Sequence, residues 1–204
     1  MMAAARQPAS EGDDIVATAR FRRARPDDAV EVALETFRTG ARVDMQTLAI
    51  QLDVSPATLH RWFGSRAQLL DKVCERLAVE FGSDARASAR GDGDARVCDY
   101  VRRITTVAAG FEPARAFVRR EPQLAIRLLL GSGGGVHRVV AAQLRELIAQ
   151  TRSPAQARRV EQRVDLIVQV TTSLVWATFM IGEEPQIDDA VEIVGMILAS
   201  GRAR

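Results

Sequence analysis

The chain has 204 residues, 47% of them hydrophobic and 26% charged, which fits a globular protein with a sizeable core and one domain or two small ones. Its formal net charge is only +2, so it is no polycation that could hold nucleic acid by bulk charge. Aromatic residues make up 5%, and β-branched residues do not alternate, so the pattern favours an all-α fold.

Met1 to about Arg25 has no apolar period and reads as a disordered arm. It ends on Arg20, Arg22, Arg23 and Arg25, either to track phosphates or the minor groove or as a plain solvated tail. Pro26 to Thr39 forms the first firm helix, with Ala29, Val30, Ala33, Leu34 and Phe37 on one stripe and Gly40 at the cap. Gln46 to Phe63 then holds two short apolar-periodic segments. Leu48, Ala49 and Leu52 share one face of the first, with Asp44 as its N-cap. Ser55-Pro56 opens the second, and Leu59 and Phe63 form its buried side. Two helices of about two turns joined by a tight turn form a helix-turn-helix, whose second member can enter the DNA major groove.

Ser65 and Gln68 match a capping box that opens a long helix from Arg66 to about Ala89. Arg90 to Asp94 is a breaker. Helices follow over Ala95 to Ala109, Glu112 to Arg120, Pro122 to Leu130 and Val136 to Thr151, with the Gly-rich link Gly131 to Gly135 before the last of these. Ser153-Pro154 caps a long helix ending near Gly182, and Ile187-Asp188 leads into a final one ending near Ser200. The domains expected are therefore the arm (1–25), a DNA-binding domain (26–72) and a second helical domain (73–204).

From Arg20 to Lys72 nine basic residues face seven acidic ones, so a DNA-binding face must come from placed side chains. Arg61, on the outer face of the second short helix, can bond both guanine acceptors. Gln46 can pair with adenine, and Ala57 is small enough to meet a thymine methyl. Each has a plain alternative: a solvated arginine, an ordinary polar residue and helix filler. Trp62 is read as packed or lying along the backbone.

In the second domain, Tyr100, Ile104, Phe117, Leu124, Leu128, Trp176 and Phe179 could line a cavity, with Thr172, Arg103 or His137 orienting a ligand. Ordinary core packing is the competing reading for each. Val164, Ile167, Val168, Thr171, Leu174, Val175 and Ile181 form one long apolar face, and Val191, Ile193, Val194, Ile197 and Leu198 a second. These faces suit either a four-helix dimer interface or burial within one subunit.

Enzyme chemistry finds little footing. His60 and His137 are the only histidines, there is no metal-ligand spacing or nucleophile elbow, and Gly131 to Gly135 lacks the ending of a phosphate loop. No cofactor is expected. Cys74 and Cys98 are far apart in sequence and no signal-peptide pattern opens the chain, so both are expected reduced, in the cytoplasm. The most apolar run, Leu166 to Ile181, is interrupted by polar residues and is short for a membrane span.

Ala33, Phe37, Gly40 and then TLAIQLDVSPATLHRWFGSRAQLL resemble the N-terminal domain of TetR-type transcriptional regulators, over about Arg25 to Leu77. Phe111-Glu112-Pro113 and the Gly-rich link look faintly like regulators of lactone signal degradation. The resemblance implies an all-helical homodimer, with three DNA-binding helices, a linking fourth and a helical effector domain whose last two long helices pair across the dimer. It implies a repressor that binds a double-stranded operator and is released by a small molecule. Gln46 falls where the family often reaches a base or phosphate. Ser55 opens the recognition helix, and Pro56, Ala57, His60 and Arg61 lie on its exposed part. Thr58 and Arg66 fall at phosphate positions. His60 stands where the family usually has Tyr, and Arg66 where it usually has Lys. The alternative is a helical protein-interaction module without specific DNA binding.

Overall fold

The computed structural model describes residues 24–200, and the arm expected over Met1 to Arg25 lies outside them except for its last two residues. Helix α1 (Pro26–Arg38) opens on a proline, whose missing N–H is no loss in a first turn, and the Arg25 N–H donates to Asp28 at 2.8 Å. Its stripe of Ala29, Ala33, Leu34 and Phe37 is buried. Gly40, at φ +77°, turns the chain out of the helix in the left-handed region that glycine enters freely. Helix α2 (Met45–Gln51) starts where the Asp44 carboxylate accepts from the amides of Gln46 and Thr47, at 3.1 and 2.9 Å. Those bonds hold the Asp44 carboxyl below its usual range, the Thr47 amide first among them.

Between α2 and α3 (Pro56–Phe63), Asp53 takes φ +51° and the Val54 amide reaches back to the Ala49 carbonyl at 3.0 Å. The turn is thus closed by the backbone itself. Leu59, fully buried, pins α3, and the Ser55 hydroxyl caps it by accepting from the Thr58 amide at 3.1 Å. Helix α4 (Arg66–Ser88) is capped by Ser65, but the expected box closes only in half. The Gln68 amide donates to Ser65 Oγ, while the Gln68 carboxamide accepts from that hydroxyl at 3.2 Å instead of from the Ser65 backbone.

After the turn at Gly91 come α5 (Gly93–Gly110), α6 (Glu112–Arg120) and α7 (Pro122–Ala125), the last widening into a π turn over Ile126–Leu130. Helix α8 (Gly135–Thr151) and α9 (Pro154–Thr172) follow. A second π turn, Ser173–Ala177, leads into α10 (Thr178–Met180), and α11 (Ile187–Ser200) ends the described chain. Both π turns fall where unbroken helices were expected. In the second, the Leu174 carbonyl accepts instead from the Gln186 amide at 3.0 Å and the Thr178 hydroxyl at 2.7 Å, so bonds from outside the ladder hold the turn open.

Helix α8 begins in direct contact with α4. The Gly135 amide donates to Asp71 Oδ1 at 2.9 Å, and a β-carbon at Gly135 would lie 2.8 Å from the Glu75 β-carbon and 3.0 Å from the Asp71 carbonyl. Neither neighbour can swing aside. Gly135→Ala is therefore expected to cost about 1–3 kcal/mol by overpacking, read from the midpoint of urea unfolding; an unchanged midpoint would contradict this contact.

The apolar core is not divided at residues 72 and 73. One cluster runs from Ala29, Leu34, Phe37, Leu48 and Leu59 through Leu69 and Leu77 to Phe117, Leu129, Val175 and Trp176. A second gathers Val97, Tyr100, Leu144, Leu147, Val164, Ile167, Val194 and Leu198. Of the face expected to pair in a dimer, Val164, Ile167, Val168, Thr171 and Val175 are buried within the single chain, as are Val194 and Leu198. The apolar residues these last segments turn outward are Leu166 (51% exposed), Ile181 (73%) and Met196 (57%). No helix among the described residues is long and apolar enough to cross a membrane.

Candidate functional site

The outer face of the helix-turn-helix presents Gln46, Ser55, Pro56, Ala57, His60 and Arg61 to solvent, and Thr58 is half-buried. The Thr58 and Ser55 hydroxyls are bonded to each other at 2.9 Å, so both serve the helix start. Trp62 is half-buried and packs edge-on to Phe63, which places it against the core. His60 Nδ1 lies 3.2 Å from the Gly64 carbonyl. A carbonyl only accepts, so Nδ1 carries the proton, and Nε2 is the atom left for a partner outside.

Five basic residues lie between Pro26 and Lys72, against seven acidic ones. Arg38 pairs with Glu80 and Glu35, Arg42 with Glu121, Arg66 with Glu121 and Lys72 with Glu75. Arg61 alone of the five has no carboxylate partner among the described residues, and it stands on the exposed face of α3.

Arg66, expected at a phosphate, is engaged elsewhere. Its Nε donates to the Val43 carbonyl at 2.5 Å, and Nη1 and Nη2 donate to the two Glu121 oxygens at 2.6 and 2.8 Å. Glu121 stands between α6 and α7, so this two-pronged pair fastens the first turn of α4 to the body of the protein. Arg120 donates to the Gly40 carbonyl at 3.0 Å, a second tie between the end of α6 and the end of α1. The Arg66 guanidinium, helped by Arg42 and Arg120, holds the Glu121 carboxyl below its ordinary value of 4.5. A depressed carboxyl stabilises the fold fully above its unfolded value and loses that contribution as pH falls through its folded value. Glu121→Gln should accordingly separate from the parent in urea midpoint at pH 7, with the gap narrowing below pH 4.5. A gap that persists undiminished in acid would contradict the pairing.

The helices this pair joins also wall an apolar cavity that is partly open to solvent. Of the residues expected to line it, Ile104, Phe117, Thr172 and Trp176 do so. Tyr100 is fully buried in the second cluster, with its hydroxyl on Gln143 at 2.9 Å. Leu124 and Leu128 pack into the first cluster beside the cavity wall, where neighbouring Leu129 faces the space. Phe179 packs edge-on to Trp176 and is covered by the Arg115 and Arg119 guanidinium groups, 4.8 and 5.9 Å from its ring centre. Arg103 is paired with Asp99 at 2.7 Å, and His137 with Asp165 at 3.0 Å. These six residues stand outside the lining because a packing or ionic partner already holds each of them.

The lining also includes Phe37 of α1, Leu77 and Phe81 of α4, Phe111 and Ala114 near α6, and Thr171. Phe37 lies 6.5 Å from the Phe111 ring and 5.6 Å from the Phe117 ring, so a helix of the helix-turn-helix head forms one wall of the cavity. The apolar period of α1 marks Phe37 as buried, and only contact with α6 shows that it reaches beyond its own head. Each π turn delivers lining residues, Leu129 from the first and Val175 and Trp176 from the second. Burial pushes the Cys74 thiol up to about 12, so it presents a neutral surface.

Comparison with curated protein sequences found no match. Among solved structures, the fold is similar to the TetR-family transcriptional repressor QsdR of R. erythropolis, with a TM-score of 0.78 and 23% identity, covering 85% of this chain and 94% of that one. It is also similar to the TetR-family repressor AlkX of Dietzia sp. strain DQ12-45-1b, with a TM-score of 0.63 and 18% identity over 89% of this chain and 97% of that one. The profile of the tetracyclin repressor-like C-terminal domain matches residues 92–199, more than half of the sequence. With a helix-turn-helix at one end and this domain at the other, the chain belongs to the TetR family of transcriptional regulators.

Proposed function

We propose that the protein is a repressor that binds a near-palindromic operator as a homodimer and releases it when a small apolar or amphipathic effector enters the cavity. The observation that carries this is the joining of head and cavity. Phe37 belongs to both, and the Arg66–Glu121 pair fastens the helix-turn-helix to the helix that walls the cavity. A ligand that favours one arrangement of these elements changes DNA affinity by its difference in affinity for the two, commonly about 1–3 kcal/mol.

In this reading Arg61 and Gln46 read base edges, Ala57 meets a thymine methyl, and Ser55, Pro56 and Thr58 set the approach to the backbone. His60 Nε2 accepts from a base amine. Arg66 reaches a phosphate only by leaving or sharing Glu121. The outward apolar residues Leu166, Ile181 and Met196 support pairing through the last helices, which would place two α3 helices roughly 34–36 Å apart.

The test is selection of bound DNA from a random pool by the full chain. Enrichment of an inverted repeat is the expected result. Recovery of no common sequence would point instead to a helical protein-interaction module.

A further inference from the structure

The cavity chemistry narrows the effector. Its eighteen lining residues include no charged side chain, and their only side-chain oxygens belong to Thr105, Thr171 and Thr172. Two of these are already bonded to their own helices. The Thr105 hydroxyl donates to the Val101 carbonyl at 2.7 Å, and the Thr172 hydroxyl to the Val168 carbonyl at 2.9 Å. Thr171 differs. It is 7% exposed, and its Oγ1, itself covered, has no hydrogen-bond partner among the described residues. An unbonded hydroxyl in an apolar wall is costly, and a hydrophobic residue of the same shape would remove the cost. Its position is two residues before the π turn that supplies Val175 and Trp176 to the same wall. Such turns tend to occur at functional sites.

We propose that the effector is an uncharged, lipophilic molecule with one neutral hydrogen-bonding group, a hydroxyl or a carbonyl, which pairs with Thr171 while its apolar body lies against Phe37, Phe81, Phe111 and Trp176. This rests on the ligand-responsive reading above and specifies the ligand class of that cavity. The lining holds no cation, so an ionised carboxylate buried beside Thr171 would have no paired charge and is disfavoured there.

The experiment uses the full chain without DNA, so that its failure is distinct from a failure of operator binding. Trp176 lines the cavity, so its fluorescence reports occupancy, and calorimetry supplies the affinity. Three probes of one chain length are titrated at pH 8: 1-decanol, 2-decanone and sodium decanoate. Decanol and decanone are expected to bind, and decanoate to bind on the order of 100-fold more weakly. Thr171→Val keeps the shape, relieves an unpaired hydroxyl and so should fold at least as well. It is expected to weaken decanol and decanone about three- to tenfold. A second variant, Ala108→Leu, fills part of the cavity without touching Thr171 and should weaken all ligands together. Decanoate binding as tightly as decanol, or equal affinity of parent and Thr171→Val for both neutral probes, would overturn the proposal. So would failure of both neutral probes to bind the parent chain.

Discussion

Arg61→Ala is expected to lower affinity for the operator by about 1–3 kcal/mol at each half-site, and for random DNA by far less. The reason is the charge arrangement of the head. Arg38, Arg42, Arg66 and Lys72 are each paired with a carboxylate, which leaves Arg61 as the one basic residue of Pro26 to Lys72 with no carboxylate partner among the described residues, able to meet a base without first giving one up. A bidentate contact to guanine loses both bonds on truncation, and a two-fold dimer loses them twice. Anisotropy with the selected operator and with scrambled duplex, at one fixed salt concentration, checks this. Equal losses on both would reassign Arg61 to the phosphate backbone.

The second large effect is on the fold. Phe37 is 3% exposed and touches the rings of Phe111 and Phe117. Phe37→Ala removes a whole ring from a close-packed site, at about 3–5 kcal/mol, equivalent to a fall in Tm of roughly 6–20 °C for a chain of this size. A loss confined to a head with its own core would leave the rest of the protein untouched. Here the ring belongs equally to the cavity wall, so helix signal from the whole chain should melt earlier. An early melt of only a small helical fraction would contradict the shared core.

Much of the fold could be read from the sequence because its signals are local. Asp44, Ser55-Pro56 and Ser153-Pro154 each satisfy amides within three residues, and each opens a helix where its chemistry requires. What could not be read depends on distant partners. The π turn at Ser173–Ala177 rests on the Thr178 hydroxyl and also on the Gln186 amide, which lies beyond the end of the helix and is brought back to Leu174 only by the fold. Arg66 looks like a free cation at a helix start until Glu121, 55 residues away, is brought beside it. Tyr100 has the makeup of a cavity residue, an apolar body with a polar tip, but Gln143 of α8 takes the hydroxyl and seals it into the second cluster. The period of α1 marked Phe37 as buried, and the partner on its far side was set by α6.

The continuity of the first core cluster has a practical consequence. When one cluster spans the head and the body, neither can open without exposing the other's apolar surface, so the chain should lose its structure in a single cooperative step. Any molecule bound in the cavity then stabilises the folded chain as one unit by mass action, about 2.7 kcal/mol at a hundred times its dissociation constant. Compound libraries can thus be screened by heat alone, before any DNA target is in hand, and the same melt will report on the helix-turn-helix head as well.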